Sequence, residues 1–368
     1  ESVSELSVAK PSMSTKVSPA QLQKSSTVSL FKGGGYKGGE GTLLLNAAPK
    51  GYWKETLFAT HGRPLPPLLL GAIYAIYVAV VAVAEKVVLP RVGGVAPDAL
   101  HLNTFAVGSV GGCLFFLLVF RSNASYERWW DGRKKWGMVI NRTRDLARQA
   151  ITYMGDEAHV DTMVRYTIAF AVAMKRHLRV ERELTELLTK SVLTPEQISE
   201  IQAAKHMPLF VLERLTETIR SAQDKGLLSD HVAMALDANV TDFEDELGGC
   251  ERILKTKMPF AYIIHLRTFL MLWLGALPFA LLAAVGWGAI PVALAIFYAL
   301  CGLEMIGVEI ENPFGHDYND LPLDSITDDT ICANLMELLA RHKSGTAKLG
   351  LEGVASTPAS STVVKFAE

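Results

Sequence analysis

Four long uncharged runs limit the possible folds of this 368-residue chain more than any other feature of its sequence. They cover residues 65–84, 104–120, 268–285 and 290–303. A helix rises about 1.5 Å per residue, so the first run is long enough to cross a hydrocarbon core of about 30 Å. Apolar residues make up 49% of the chain and the mean hydropathy is +0.22, both high for a soluble protein. The sequence therefore predicts an integral membrane protein with four transmembrane helices.

The rest of the chain also predicts helices. Residues 121–258 separate the second run from the third, and their apolar side chains recur at helical spacing. Thr194, Pro195 and Gln197 are typical of a helix start, with a threonine cap, a proline in the first turn and a glutamine at the capping-box position. Because no segment alternates with a period of two over a useful length, we predict an all-α fold.

Both ends of the chain differ in composition from the part between them. Residues 1–46 are rich in serine, glycine and lysine, as in a flexible tail or the remnant of an organelle transit peptide. Residues 341–368 are mostly small and polar, and they are predicted to form a second flexible tail. A single membrane-embedded domain is predicted over residues 47–340. The net charge of −2 gives no reason to expect a nucleic-acid partner.

The charges beside the second run predict its orientation. Residues 121–148 contain eight basic side chains against three acidic ones. By the positive-inside rule, the region between the second and third runs faces the cytoplasm, or the stroma in a plastid. With four crossings, both termini lie on the same side. His265 and Arg267 lie at the start of the third run, where we expect snorkelling to the membrane surface or a pair with Glu304 or Glu309, with a functional role as the alternative.

The second run carries two features that could line a path across the membrane. Gly108, Gly111 and Gly112 interrupt it, which predicts a broken helix whose free backbone amides meet an anion. The alternative is close helix packing through small residues. Phe116 and Phe120 are four residues apart and share one helical face. Several copies of such a face would form a dry constriction.

Three long motifs resemble those of the bestrophin family of anion channels. They are FRSNASYERWWDGRKKWG at residues 120–137, GGCERILKTKMPFAY at 248–262 and GVEIENPFGHDYNDLPLD at 307–324. The resemblance covers residues 50–340 and is closest to the bacterial and plant–algal branch. It implies a homopentamer of helical protomers around one axial pore. Together with the serine-rich leader, it implies a chloroplast protein of the thylakoid membrane.

The resemblance also assigns residues to the pore. The hydrophobic neck of the family has three residues at four-residue intervals, and these match Gly112, Phe116 and Phe120. Gly112 departs from the family pattern and is expected to widen the outer end of the neck. An inner constriction is placed at His231 and Val232 by counting back from the proline of the second motif. The alternative for His231 is an ordinary surface histidine.

A third assignment concerns calcium. In animal bestrophins the stretch that matches the third motif holds a calcium ion, and Asp317 and Asp320 match its two side-chain ligands. His316, Tyr318 and Asn319 replace other members of that acidic run and lower its charge. We expect a structural cap on the last membrane helix, with calcium binding as the alternative. No cofactor is required.

The leading interpretation is a passive anion channel that conducts chloride, with bicarbonate as a second candidate ion. Membrane lipid and further copies of the chain are the expected partners. The basic, tryptophan-rich segment after Phe120 is expected to support the neck and to concentrate anions at its inner mouth. The chain contains no Walker A sequence, metal-hydrolase motif or nucleophile elbow, so we do not expect an enzyme. The alternative function is a membrane scaffold that recruits a soluble stromal partner, for which residues 52–57 (YWKETL) are the nearest motif.

Overall fold

The computed structural model describes residues 66–91 and 100–345. Every regular element in these ranges is a helix and none is a strand, which confirms the all-α prediction. The helices are α1 (Pro66–Val83), α2 (Thr104–Tyr153), α3 (Glu157–Leu178), α4 (Thr185–Thr189), α5 (Pro195–Ala203), α6 (Met207–Asp224), α7 (Asp230–Lys255), α8 (Phe260–Val285), α9 (Ala289–Glu309), α10 (Leu323–Ser325) and α11 (Ala333–Lys343). The predicted tail 1–46, most of the tail 341–368 and the motif at 52–57 lie outside the described residues.

Three helical stretches are long and apolar enough to cross a membrane: Leu69–Arg91, Thr104–Tyr153 and Phe260–Glu309. The last stretch contains both α8 and α9, which are joined by a tight turn at Gly286–Gly288. Gly286 has a φ of 57°, a left-handed conformation that favours glycine, and it ends α8. The third and fourth uncharged runs are therefore two packed helices. The third uncharged run, residues 268–285, lies inside α8, which begins at Phe260 directly after Pro259.

One apolar cluster holds the membrane helices together. It joins α1, the first part of α2, α8 and α9, with Leu114 and Leu118 of α2 completely buried. Tyr74 of α1 stacks on Phe297 of α9 at 4.9 Å between ring centroids, and its hydroxyl donates to the carbonyl of Leu274 at 2.9 Å. A buried tyrosine needs such a partner for its hydroxyl.

The longest element, α2, runs without a break through the glycines of the second uncharged run. It has 50 residues and is therefore about 75 Å long, more than twice the thickness of a hydrocarbon core. The predicted break is wrong. Gly111 is needed for packing, because a Cβ there would lie 2.5 Å from Cζ2 of Trp273. The Trp273 indole also donates to the carbonyl of Val107 at 2.8 Å, so α2 and α8 approach closely at this point.

Beyond the membrane helices, a second apolar cluster is built around α3. The run from Ile168 to Met174 is almost completely buried, and α6, α7, α11 and the second half of α2 surround it. The predicted helix start is confirmed, since Thr194 and Gln197 form a reciprocal capping box at the start of α5. The contribution of α11 was not predicted, because its sequence lies far from the other helices of this cluster.

Candidate functional site

An uncovered stripe runs along the membrane part of α2. We call the α2 stripe the set Phe105, Gly108, Gly112, Phe116 and Phe120, whose members lie three or four residues apart and so share one face. The three phenylalanine side chains are 82%, 64% and 63% exposed in chain order. No other part of the described protomer covers this stripe, whereas the opposite face of α2 is buried.

The structure brings the three predicted neck residues onto one face of one helix. The first of them, Gly112, has open space where its side chain would lie, since a Cβ there would meet nothing within 4 Å. Packing inside the protomer therefore does not explain glycine at this position, in contrast to Gly111. The assignment of Gly112, Phe116 and Phe120 to a pore remains a prediction.

Directly after Phe120, α2 buries a charge. The Arg121 side chain is 1% exposed, and its Nη atoms lie 3.7 Å from carboxylate oxygens of Glu304 and Glu311. Arg267 donates to Glu304 at 2.8 Å, which confirms one of the two expected pairs. The Nε and Nη1 atoms of Arg121 have no hydrogen-bond partner among the described residues. This cluster links α2 to α8 and α9 where the membrane helices meet the rest of the fold.

The basic, tryptophan-rich segment binds neighbouring backbone. Arg128 donates to the carbonyls of Ile253, Thr256 and Glu311, and thereby ties α2 to the end of α7 and to the segment after α9. The Trp129 indole donates to the carbonyl of Asn319 at 2.9 Å. These contacts agree with the predicted supporting role of the segment.

The predicted inner constriction lies on a different helix from the neck. His231 and Val232 are in the first turn of α7, where His231 is exposed and Val232 packs in part against the second apolar cluster. Exposure of His231 is compatible with both a pore exit and an ordinary surface position. The assignment stays a prediction.

The loop after α9 contains the two predicted calcium ligands. One oxygen of Asp320 accepts the backbone N–H of Asp317 at 2.8 Å, while the other is buried with no partner among the described residues. Burial raises the pKa of Asp320 to about 6. The Asn319 side chain donates to Glu309 at 2.8 Å. The loop is thus held in place by hydrogen bonds, and the assignment of Asp317 and Asp320 to a calcium site, with a structural cap as the alternative, stays a prediction.

Sequence reasoning did not identify a buried acid at the other end of the membrane region. Glu85 follows the first uncharged run and is 1% exposed. It accepts from His101 at 2.8 Å and from Lys86 at 2.9 Å. The sequence does contain a signal for this site, because Glu85 comes directly after an uncharged run, and an ionisable residue at such a position needs partners when it is buried.

Comparison with known proteins places these features in a family. A family model described as "Bacterial/Fungal Bestrophin protein" matches residues 46–337. A voltage-dependent anion channel-forming protein of Nostoc sp. is 34% identical over 290 residues, which cover 75% of this chain and 89% of the relative. The chloroplastic voltage-dependent chloride channel 1 of Arabidopsis thaliana is 30% identical over 283 residues, covering 76% and 66%. A crystal structure of a bacterial bestrophin homologue from Klebsiella pneumoniae has a TM-score of 0.66 at 29% identity, covering 74% of this chain and 97% of that one.

Proposed function

Because this chain belongs to the bestrophin family, we propose that it is the subunit of a passive anion channel in which several copies surround a pore lined by α2. The family consists of channels rather than enzymes, in agreement with the lack of catalytic motifs in the sequence. The observation that carries the proposal is the α2 stripe, which is apolar, continuous and uncovered in the protomer.

The composition of the stripe favours a pore over lipid. The exposed surface of α1 presents bulky side chains such as Leu69, Ile73 and Ile76. The α2 stripe instead combines phenyl rings with Gly108 and Gly112, where a Cβ would meet nothing within 4 Å. Around a shared axis, these small residues would leave room for an ion. Five copies of α2 around one axis are the arrangement that we propose.

The rings at the two phenylalanine positions explain how the path could be selective. A ring of phenyl groups excludes water at rest and conducts when it becomes wet. The positive edges of aromatic rings can face a passing anion, and the basic segment below raises the local anion concentration. Weakly hydrated anions lose their water most readily and should pass such a neck best. We propose chloride as the principal ion, in line with the chloroplastic relative that is named a chloride channel, and bicarbonate as the second.

We also propose the topology and the location. Helices α1, α2, α8 and α9 would each cross the membrane once, since α8 and α9 are separate packed helices. The excess of basic residues after Phe120 would place the large helical region and both termini on the stromal side of a thylakoid membrane. The serine-rich residues 1–46 and the chloroplastic relative support this location.

The test is anion flux through the purified chain in proteoliposomes. We expect chloride flux, and bi-ionic potentials would give the bicarbonate-to-chloride permeability ratio. To locate the path, Phe116→Cys and Leu118→Cys are compared in a Cys113→Ser background. An anionic thiol reagent should block the Phe116→Cys channel and spare the Leu118→Cys channel, whose position faces the protein interior. Absence of chloride and bicarbonate flux would refute the proposal and leave the scaffold alternative.

A further inference from the structure

Two histidines and a glutamate converge in the helical region outside the membrane. His177 is in the last turn of α3, His206 caps the start of α6, and Glu251 is in the last part of α7. The Nε2 atoms of His177 and His206 lie 2.6 Å and 2.9 Å from the same Glu251 oxygen. The ligand atoms of all three residues lie within 4.8 Å of one another. We propose that this cluster binds a divalent transition metal ion of the zinc class.

The donor set matches that class of ion. Two imidazole nitrogens and one carboxylate oxygen are common ligands of Zn²⁺, and a water molecule would complete four-coordination. Calcium and magnesium prefer sets made only of oxygen, so the two imidazoles argue against them. Three protein ligands with one open position make a site that binds an ion without enclosing it.

The fold holds the three ligands in place before any ion arrives. Each comes from a different helix, and all three side chains are half-buried, so that an ion could reach them from solvent. The second Glu251 oxygen accepts from Lys255 at 2.7 Å. The Lys255 side chain is 66% exposed and can turn into solvent when a second cation binds beside the carboxylate.

The protonation states suit metal binding at neutral pH. Burial lowers the pKa of His177, so its imidazole is neutral. Burial alone would raise the pKa of Glu251, but hydrogen bonds from Lys255, His206 and His177 outweigh it and hold the pKa at about 2. Binding through Nε2 moves the remaining imidazole proton to Nδ1. At His206 this gives up a 3.3 Å hydrogen bond from the backbone N–H of Leu209.

Other histidine–carboxylate pairs in the fold provide a control. The Nε2 atom of His316 lies 2.8 Å from a Glu181 oxygen, and the His316 side chain is 64% exposed. A single imidazole and one carboxylate do not make a zinc site. Substitution of His316 therefore tests whether any histidine loss lowers metal affinity.

The experiment is a titration of the chelator-treated, purified full-length protein with Zn²⁺, in competition with a chromophoric chelator. We expect one ion per subunit, and His206→Gln and Glu251→Gln should each weaken binding by at least about tenfold, because even the loss of an outer-shell partner has that effect. His316→Gln should leave the affinity unchanged. Size-exclusion chromatography checks assembly, and His177→Gln replaces any variant that fails to assemble. Binding by the unaltered chain that is no tighter than binding by the ligand variants would overturn the proposal, as would an equal loss in His316→Gln.

Discussion

Shortening the phenylalanines of the α2 stripe separates a pore role from a packing role. Phe116 and Phe120 are 64% and 63% exposed, so truncation to alanine removes only about a third of the contacts that a buried ring makes. A fully buried phenylalanine costs about 3–5 kcal/mol when it is replaced by alanine, which scales to about 1–2 kcal/mol here. Leu118 on the opposite face is completely buried, and Leu118→Ala should cost about 2–5 kcal/mol.

For conduction we expect the reverse: the two stripe substitutions should have a larger effect than Leu118→Ala. Phe116→Ala and Phe120→Ala should assemble normally and raise the single-channel conductance or change the anion selectivity, because each opens a dry ring of the neck. Planar-bilayer recording gives the conductance, and thermal unfolding in detergent gives the stability. Phe115→Ala is the matched control, since Phe115 is 50% exposed and points about 100° around the helix from Phe116. Unchanged conductance in both stripe variants, or an equal change in Phe115→Ala, would refute the neck assignment.

Three further experiments test the buried arginine, the loop after α9 and the glycines of α2. Arg121→Met leaves the Glu311 carboxylate without its charged partner, while Glu304 keeps Arg267, and it should destabilise the protein by about 3–5 kcal/mol; adding Glu311→Gln should restore part of the loss in thermal unfolding. The raised pKa of Asp320 makes its native state bind a proton more tightly, so its stabilising contribution is complete below about pH 4 and is lost as the pH rises through about 6. Asp320→Asn should therefore flatten the pH dependence of the melting temperature between those values. A variant with the same pH dependence as the unaltered chain would contradict a raised pKa at Asp320. Gly111→Leu should disrupt membrane packing, whereas Gly112→Leu should keep assembly and lower conductance, and equal folding yields of the two would contradict this reading of the glycines.

Local patterns were enough to predict most of the fold. Uncharged length identified the membrane helices, and the period of the apolar residues placed Phe116 and Phe120 on one face. His265 and Arg267 interrupt the apolar pattern at the start of α8, and there Arg267 pairs with Glu304. The prediction that the glycines break α2 was wrong because the sequence does not show the long-range contact at Gly111. Gly111 is small because Trp273 packs on it, and no local pattern reveals a contact across 162 positions (273 minus 111).

The same difference between local patterns and long-range contacts applies to the candidate sites. A stripe on one helix follows from spacing alone, so the sequence could predict it. His177, His206 and Glu251 meet only because three helices pack together, and each is unremarkable in its own segment. The pairing of Arg121 with Glu304 and Glu311 likewise depends on where α9 lies beside α2.

The continuity of α2 connects the two halves of the molecule physically. Its membrane part buries Leu114 and Leu118 in one apolar cluster, and its second part buries Trp136 and Val139 in the other. A helix resists bending because each of its turns is hydrogen-bonded to the next. Displacement of the second apolar cluster must therefore move the stripe or strain the helix. Arg121 lies between the two clusters and is the position where such a displacement would meet fixed charges. Phe116 and Phe120 are thus held by packing on both sides of the membrane boundary, which is how a ring of exposed phenyl groups could keep a defined width.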